Sequence, residues 1–123
     1  MPAVAALLDT RAALVTLRRT LAGDSPSVVA CRSVGALYRA CSSHLLDAVV
    51  VGRRKLDDLD LESMRRQYPS IPMVVYGFFR PDDGTMLQRL VEQGGVAALM
   101  VEGVDDPMVG TIVRRHSLSR SRA

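Results

Sequence analysis

A run of basic residues directly follows one of the most apolar stretches of the chain. The stretch Leu-Asp-Ala-Val-Val-Val ends at Gly52, and the next three residues are Arg53, Arg54 and Lys55. Glycine lets a ligand approach the backbone closely, and arginine binds phosphate or carboxylate through paired hydrogen bonds. Arg80 follows a second apolar run in the same way. Arg53, Arg54 and Arg80 are therefore a candidate anion-binding set.

The residue types that enzymes most often use are not arranged for catalysis. His44 and His116 are far apart in the sequence, and neither belongs to a motif that supplies a Ser, Cys or Asp partner. The sequence also has no phosphate-binding loop, no G-x-S-x-G motif and no G-x-G-x-x-G motif. We expect no enzymatic activity.

Cys31 and Cys41 are the two cysteines of the chain. Their number and spacing predict neither a disulfide framework nor a metal site. Cys31 ends an apolar run and Cys41 lies on the apolar side of a helical pattern, so buried free thiols are expected. A redox or metal role is the alternative. No cofactor and no metal ion is expected.

Length and composition predict one globular domain that does not enter a membrane. The chain has 123 residues, of which 48% are hydrophobic and 24% charged. No apolar run approaches the roughly 20 residues of a membrane span. Asp9 and Arg11 interrupt the N-terminal apolar residues, which argues against a signal peptide. We expect a cytoplasmic protein.

The net charge of +3 is concentrated at the C-terminus. Residues 114–123 contain four arginines and no acid, which leaves the rest of the chain at −1. A basic tail can contact nucleic acid through phosphates, but arginines spaced by serines are more typical of a linker. The four residues are Arg114, Arg115, Arg120 and Arg122. The sequence predicts a domain at 1–115 and a basic tail or linker at 116–123.

The residues that could do chemistry are separated by five apolar runs that predict strands. Within each run apolar residues follow one another, with no alternation of apolar and polar positions. This pattern is typical of strands covered on both faces. They span residues 3–8, 27–31, 46–52, 71–79 and 96–102.

Helical patterns alternate with these runs. Asp9 or Thr10 can cap the first helix. The second places Val34, Leu37, Cys41 and Leu45 on its inner face, a third lies around 60–68, and the last begins at 106 and ends near 115. Strict alternation predicts an α/β fold. We expect a flavodoxin-like, doubly wound parallel sheet of order 2-1-3-4-5, with helices on both faces.

Three segments resemble the receiver domains of bacterial two-component response regulators, the CheY-like family. They are Leu46-Asp47-Ala48-Val49-Val50-Val51, Tyr68-Pro69-Ser70-Ile71-Pro72-Met73-Val74-Val75, and Gln93-Gly94-Gly95-Val96-Ala97-Ala98-Leu99-Met100. The similarity extends from residue 3 to about 115. In that family an Asp accepts a phosphoryl group beside Mg²⁺, and a Thr or Ser and a Lys contact the phosphoryl oxygens.

The positions that match this apparatus lack its chemistry. The acidic pair is Leu8-Asp9, the phosphoacceptor position is Gly52, the Thr or Ser position is Gly77, and the Lys position is Glu102. The single remaining carboxylate, Asp9, is expected to cap a helix rather than bind a metal. The resemblance therefore implies a degenerate receiver, or pseudo-receiver.

Three functions follow from these observations. The first is a regulatory interaction domain that dimerises or contacts a partner protein or output domain. The family's interaction surface then falls at 82–93, 97–102 and 106–115, with Arg89, Glu92, Leu99 and Arg114 as candidate contacts. DNA would be bound only by a helix-turn-helix domain outside these residues or on a partner. The second is a small-anion or ligand sensor at the strand ends. The third, an enzyme, is disfavoured.

Overall fold

The structure is a five-stranded sheet in which every neighbouring pair of strands is parallel. The computed structural model describes residues 3–21, 27–43, 45–92, 98–101 and 105–122, with the backbone alone at 98, 106, 117 and 119–122. The strand order is 2-1-3-4-5, which confirms the predicted flavodoxin-like topology. The strands are β1 (Ala3–Leu7), β2 (Ser27–Ala30), β3 (Ala48–Gly52), β4 (Met73–Gly77) and β5 (Ala98–Val101).

Helices connect the strands along the chain. They are α1 (Arg11–Leu21), α2 (Val34–Ser43), α3 (Leu61–Gln67), α4 (Gly84–Glu92) and α5 (Asp106–Arg122). The polar stretch Arg53–Asp58 after β3 forms a 3₁₀ helix, and Pro81–Asp83 forms a second one before α4.

The sheet is covered on both faces, as continuous apolar strands require. Val49 and Val51 of β3 face one way and join a cluster with residues of α2 and α3. Val50 faces the other way and packs in a second cluster with residues of α1 and α5. All five residues of β3 are buried, as are all five of β4. Helices α2, α3 and α4 therefore lie on one face, and α1 and α5 on the other.

The ends of two helices differ from the prediction. Helix α2 stops at Ser43, so Leu45 lies beyond it and is 77% exposed, while Leu46 takes the buried place before β3. The prediction of Leu45 as an inner-face residue is wrong, because the helical repeat does not reach it. Helix α5 continues to Arg122, past the predicted end near residue 115. The division of the chain at 115 and 116 stays a prediction.

Parts of the predicted fifth strand lie outside the described residues, namely 96, 97 and Glu102. No helix formed by the described residues is both long enough and apolar enough to cross a bilayer.

Candidate functional site

The carboxyl end of β3, where the family resemblance puts a phosphoacceptor, is filled by Asp9. A Cβ atom added to Gly52 would contact Asp9 Oδ1, and would lie 2.6 Å from Asp9 N and 2.7 Å from Asp9 Cγ. These distances are shorter than any ordinary carbon contact. Gly52 has φ −66° and ψ 148°, a conformation open to any residue. Space, and not backbone conformation, thus restricts position 52 to glycine.

Asp9 is held in this place by a hydrogen bond from the next loop. Its Oδ1 accepts from the backbone N–H of Arg54 at 3.0 Å. Thr10 caps α1, because its Oγ1 accepts from Ala13 N at 3.0 Å. Of the two caps that the sequence allowed, Thr10 is confirmed, and the expectation that Asp9 caps a helix is wrong. Its carboxylate joins the β1–α1 loop to the segment after β3.

Arg53 is paired with two carboxylates. Its Nη2 lies 2.8 Å from Asp83 Oδ1 and its Nη1 lies 3.6 Å from Asp57 Oδ1. The other oxygen of Asp83 accepts from the backbone N–H of Arg80 at 2.8 Å. Asp83 therefore connects the segment after β3 to the loop after β4.

The pKa values of this pair shift in the directions that the contact dictates. The hydrogen bond from Arg53, and then that from the Arg80 backbone, lowers the pKa of the Asp83 carboxyl below its usual range. The hydrogen bond to Asp83 raises the pKa of Arg53 further, against the smaller effect of desolvation. The pair is charged at neutral pH.

A cavity of about 620 Å³ opens at this edge of the sheet. Its charged lining residues balance, with three arginines (Arg53, Arg54 and Arg80) and three aspartates (Asp9, Asp82 and Asp83). The arginines predicted to bind an anion do line one cavity. Arg54 and Arg80 are exposed, whereas Arg53 is already neutralised by Asp83.

The residues at this edge do not fit the Mg²⁺ that the resemblance implies. Mg²⁺ requires oxygen ligands in near-octahedral geometry, commonly from carboxylates. Leu8 replaces one carboxylate, Asp9 is engaged by Arg54 N–H, and Asp83 is paired with Arg53. Among the described residues, no group of three or more His, Cys, Asp or Glu side chains is placed to hold a metal.

Gly77, at the position that the resemblance matches to a Thr or Ser, ends β4 beside Arg53. An added Cβ would meet Arg53 N at 3.4 Å and Asp9 Oδ2 at 3.5 Å, which are ordinary contacts. Its φ of 158°, however, is one that residues with a Cβ rarely adopt. Glu102, at the matching Lys position, lies outside the described residues.

The candidate interface residues lie on α4, β5 and α5. Arg89, Glu92 and Arg114 are exposed, and Leu99 is half-buried against the cluster that includes residues of α2 and α3. Glu92 accepts from Gln88 Nε2 at 3.0 Å on the same helix. These contacts within the chain do not test whether the four residues form an interface, and that role stays a prediction.

His116 has partners that the sequence did not indicate. Its Nδ1 lies 3.4 Å from Oδ1 of the fully buried Asp47, and its Nε2 lies 2.8 Å from the backbone oxygen of Ser70. Asp47 Oδ2 also accepts from Ala3 N at 2.9 Å. His116 thus attaches α5 to the amino edge of the sheet, opposite the candidate site. His44 lies outside the described residues.

Both cysteines are free and buried in one apolar cluster. Burial raises the pKa of the Cys31 thiol, and it raises the pKa of Cys41 to about 11, with a further contribution from Cys31. The expectation of buried free thiols is confirmed.

Asp83 is the residue of this site that the sequence reasoning missed. The predicted strand order makes β3 and β4 neighbours, and the structure pairs them. The segments that follow the two strands therefore meet at one edge of the sheet. An acid after one strand and an arginine after its neighbour was the available signal.

No family model matches the sequence. No curated protein matches it either. Solved structures do match, and many are receiver domains of response regulators.

One such structure is the signal receiver domain of an HD domain-containing protein from Pseudomonas fluorescens Pf-5. It superposes with a TM-score of 0.79 at 16% identity, over 99% of this chain and 93% of that one. The chain has the receiver-domain fold. Full-length FixJ from B. japonicum matches with a TM-score of 0.76 at 16% identity, over 96% of this chain and 58% of that one.

Proteins with other descriptions share this receiver fold. An adenylate cyclase from Rhodopirellula baltica matches with a TM-score of 0.74 at 18% identity, over 98% of this chain and 93% of that one. At such identities the similarity establishes the fold and does not transfer an activity.

Proposed function

We propose that this chain is a non-phosphorylatable receiver-fold domain that regulates through protein contacts. The observation that carries the proposal is the closure of position 52 by Asp9. Aspartyl phosphorylation needs a carboxylate nucleophile at the end of β3, and the contact with Asp9 N excludes even a methyl group there. A substituted Asp would require the β1–α1 loop to move.

The proposed contact surface is formed by α4, β5 and α5. β5 is an edge strand of the sheet, and edge strands leave backbone groups open to pairing. Val101 at the end of β5 is 38% exposed and Met108 in the first turn of α5 is 52% exposed. Asp105 brings these two together, because its Oδ2 accepts from Val101 N at 2.8 Å and its backbone O accepts from Met108 N at 2.8 Å.

The occupant of this surface is proposed to be a second copy of the chain or an output domain. Receiver-fold chains do occur within longer proteins, as the 58% coverage of full-length FixJ illustrates. The proposed function includes no enzymatic activity and no Mg²⁺ requirement. DNA contact, if the protein has it, is assigned to a segment or partner outside these residues.

The anion-sensor function that the sequence left open for Arg53, Arg54 and Arg80 gains less support at the ends of β3 and β4. The three arginines of that cavity face an equal number of aspartates, and the most buried arginine is paired. An anion that entered this cavity would have to displace Asp83 from Arg53. Otherwise it would bind beside the Asp83 carboxylate and be repelled by its negative charge.

The lack of phosphorylation is tested by NMR titration with Mg²⁺ and beryllofluoride, a phosphoryl mimic. We expect no saturable shift of the Gly52, Arg53 and Gly77 amides, while an ordinary receiver domain in parallel responds. Saturable shifts at these amides would overturn the proposal.

The contact surface is tested by light scattering over a range of concentrations. We expect the mass to rise with concentration, and we expect Met108→Asp to abolish this rise. Val15→Asp is the matched control, since Val15 on α1 is 49% exposed. A strictly monomeric chain would rule out self-association, and an equal effect of both variants would place the contact elsewhere.

A further inference from the structure

A second cavity lies at the same edge of the sheet, on the other side of Asp9. It is an open cavity of about 560 Å³ next to the carboxyl ends of β1 and β2. The lining combines the first residues of α1 with the connection that leads to α2 and with the 3₁₀ helix after β3. Its volume falls within the roughly 300–1,000 Å³ of typical small-molecule sites.

The charges of this cavity are strongly unbalanced. Four cations line it, and they are Arg11, Arg18, Arg32 and Lys55. Among the described residues that line it, Asp9 is the only acid, and its Oδ1 accepts from Arg54 N–H at 3.0 Å.

The cations come from three separate segments of the chain. Arg11 and Arg18 are seven residues apart on α1, close to two helical turns, and so lie on one side of it. Arg32 precedes α2, and Lys55 belongs to the 3₁₀ helix. Within the described parts of the chain none of the four is in an ion pair. Lys55 is half-buried.

The rest of the lining suits a ligand with an anionic end and a less polar body. Leu8, Leu14 and Ala30 provide apolar surface beside the cations. Thr10 and Arg11 mark the N-terminus of α1, whose dipole adds positive potential at the same place.

We propose that this cavity binds a compact polyanion of nucleotide size that carries two or more phosphate groups. Several arginines from different segments can each contact a different phosphate oxygen, and guanidinium groups bind phosphate in paired hydrogen bonds. The volume matches a small molecule, and the four cations gather around one cavity, whereas an extended nucleic-acid backbone requires a longer basic surface. Gly52 does not line this cavity. The proposal therefore does not depend on whether the domain can be phosphorylated.

The test uses the full chain and two probes, inorganic tripolyphosphate and ATP without Mg²⁺, at physiological ionic strength. Calorimetry is expected to give saturable binding to the wild type. NMR is expected to show the largest shifts at the amides of 8–14 and 31–33. Shifts concentrated at 53–54 and 77–80 would place the anion in the first cavity and overturn the proposal.

Matched variants separate a specific site from general attraction to a basic protein. We expect Arg18→Gln with Arg32→Gln to weaken binding by at least about tenfold, since each loses a charged hydrogen bond. Arg65→Gln with Arg66→Gln removes the same charge from exposed positions on α3, and is expected to change binding by less than about twofold. All four side chains are exposed, so the fold is expected to persist in both variants.

Two further outcomes would overturn the proposal. One is an equal loss of affinity in both double variants, which would show non-specific attraction. The other is a duplex DNA that competes better than tripolyphosphate at equal phosphate concentration, which would show an extended nucleic-acid surface.

Discussion

Replacing Gly52 with alanine places a methyl group against Asp9 in a space that the structure shows to be closed. The added Cβ would lie 2.6 Å from a backbone nitrogen and 2.7 Å from a carboxyl carbon. Overpacking of this kind costs about 1–3 kcal/mol. Displacement of Asp9 would also weaken its hydrogen bond from Arg54, worth about 1 kcal/mol.

One opposing effect reduces this cost. Alanine restricts the unfolded chain more than glycine does, which stabilises a protein by about 0.4–1 kcal/mol wherever the native backbone permits it. The φ and ψ of Gly52 do permit it. The net expectation for Gly52→Ala is a loss of about 1–3 kcal/mol in the free energy of unfolding. The melting temperature should fall by on the order of 5–10 °C.

The assay is urea and thermal unfolding followed by far-ultraviolet circular dichroism. Gly84→Ala is the matched control. A Cβ at Gly84 meets nothing within 4 Å, and its φ of −54° and ψ of −45° are helical. We expect this control to gain about 0.5–1 kcal/mol.

A second variant tests whether Asp9 is the obstacle. In an Asp9→Ala background the cost of Gly52→Ala should fall, because two of the three close atoms are removed. It should not vanish, since Asp9 N would remain as a backbone atom at 2.6 Å. A Gly52→Ala variant as stable as the wild type would refute the reasoning and reopen position 52 to a phosphoacceptor.

The remaining predictions concern an ion pair, a buried carboxylate and a buried thiol. The lowered pKa of Asp83 means that its pair with Arg53 adds stability above about pH 4 and loses it as the pH falls further, so urea midpoints of wild type and Asp83→Asn should converge in acid. Asp47→Ala should cost about 2–4 kcal/mol, because Asp47 is fully buried and accepts from Ala3 N, and urea unfolding measures this loss. The burial that raises the pKa of Cys41 to about 11 should make the thiol react slowly with a disulfide reagent at pH 8 in the native state and quickly in denaturant, as absorbance would show.

Each of these has a control and an outcome that would contradict it. Asp57→Ala removes a longer and far more exposed contact to Arg53, and should change stability by less than about 0.5 kcal/mol. If Asp47→Ala were equally mild, the amino edge would not depend on that carboxylate. A constant gap between wild type and Asp83→Asn at every pH would argue against a charged pair. Fast native reaction of the cysteines would contradict their burial.

Much of the fold could be predicted because its signals are local. The strands β3 and β4 are continuous apolar runs, and such runs occur where both faces of a sheet are covered. Their alternation with helices then leaves few topologies. Leu45 shows the limit of this argument. Apolar periodicity continued through it, but the helix ended first, and the end of a helix depends on where the next strand must begin.

The candidate site was only partly predictable. The absence of an acceptor at Gly52 is visible in the sequence, and so is the arrival of Arg53 and Arg80 at one edge of the sheet. The partner of Arg53 was harder to predict, because Asp83 is 30 residues away and only the pairing of β3 with β4 brings the two segments together. His116 is further still from Asp47, at 69 residues.

By itself the sequence determined the topology of this protein and the glycine at the end of β3, since residue type and spacing along the chain carry both. Only the tertiary structure decided what surrounds that glycine. It placed the carboxylate of Asp9 against Gly52, neutralised Arg53, and brought Arg11, Arg18, Arg32 and Lys55 around one cavity. The physical reason is that charge pairing and close contact depend on distances in space, which the folded sheet sets for residues that the chain keeps far apart.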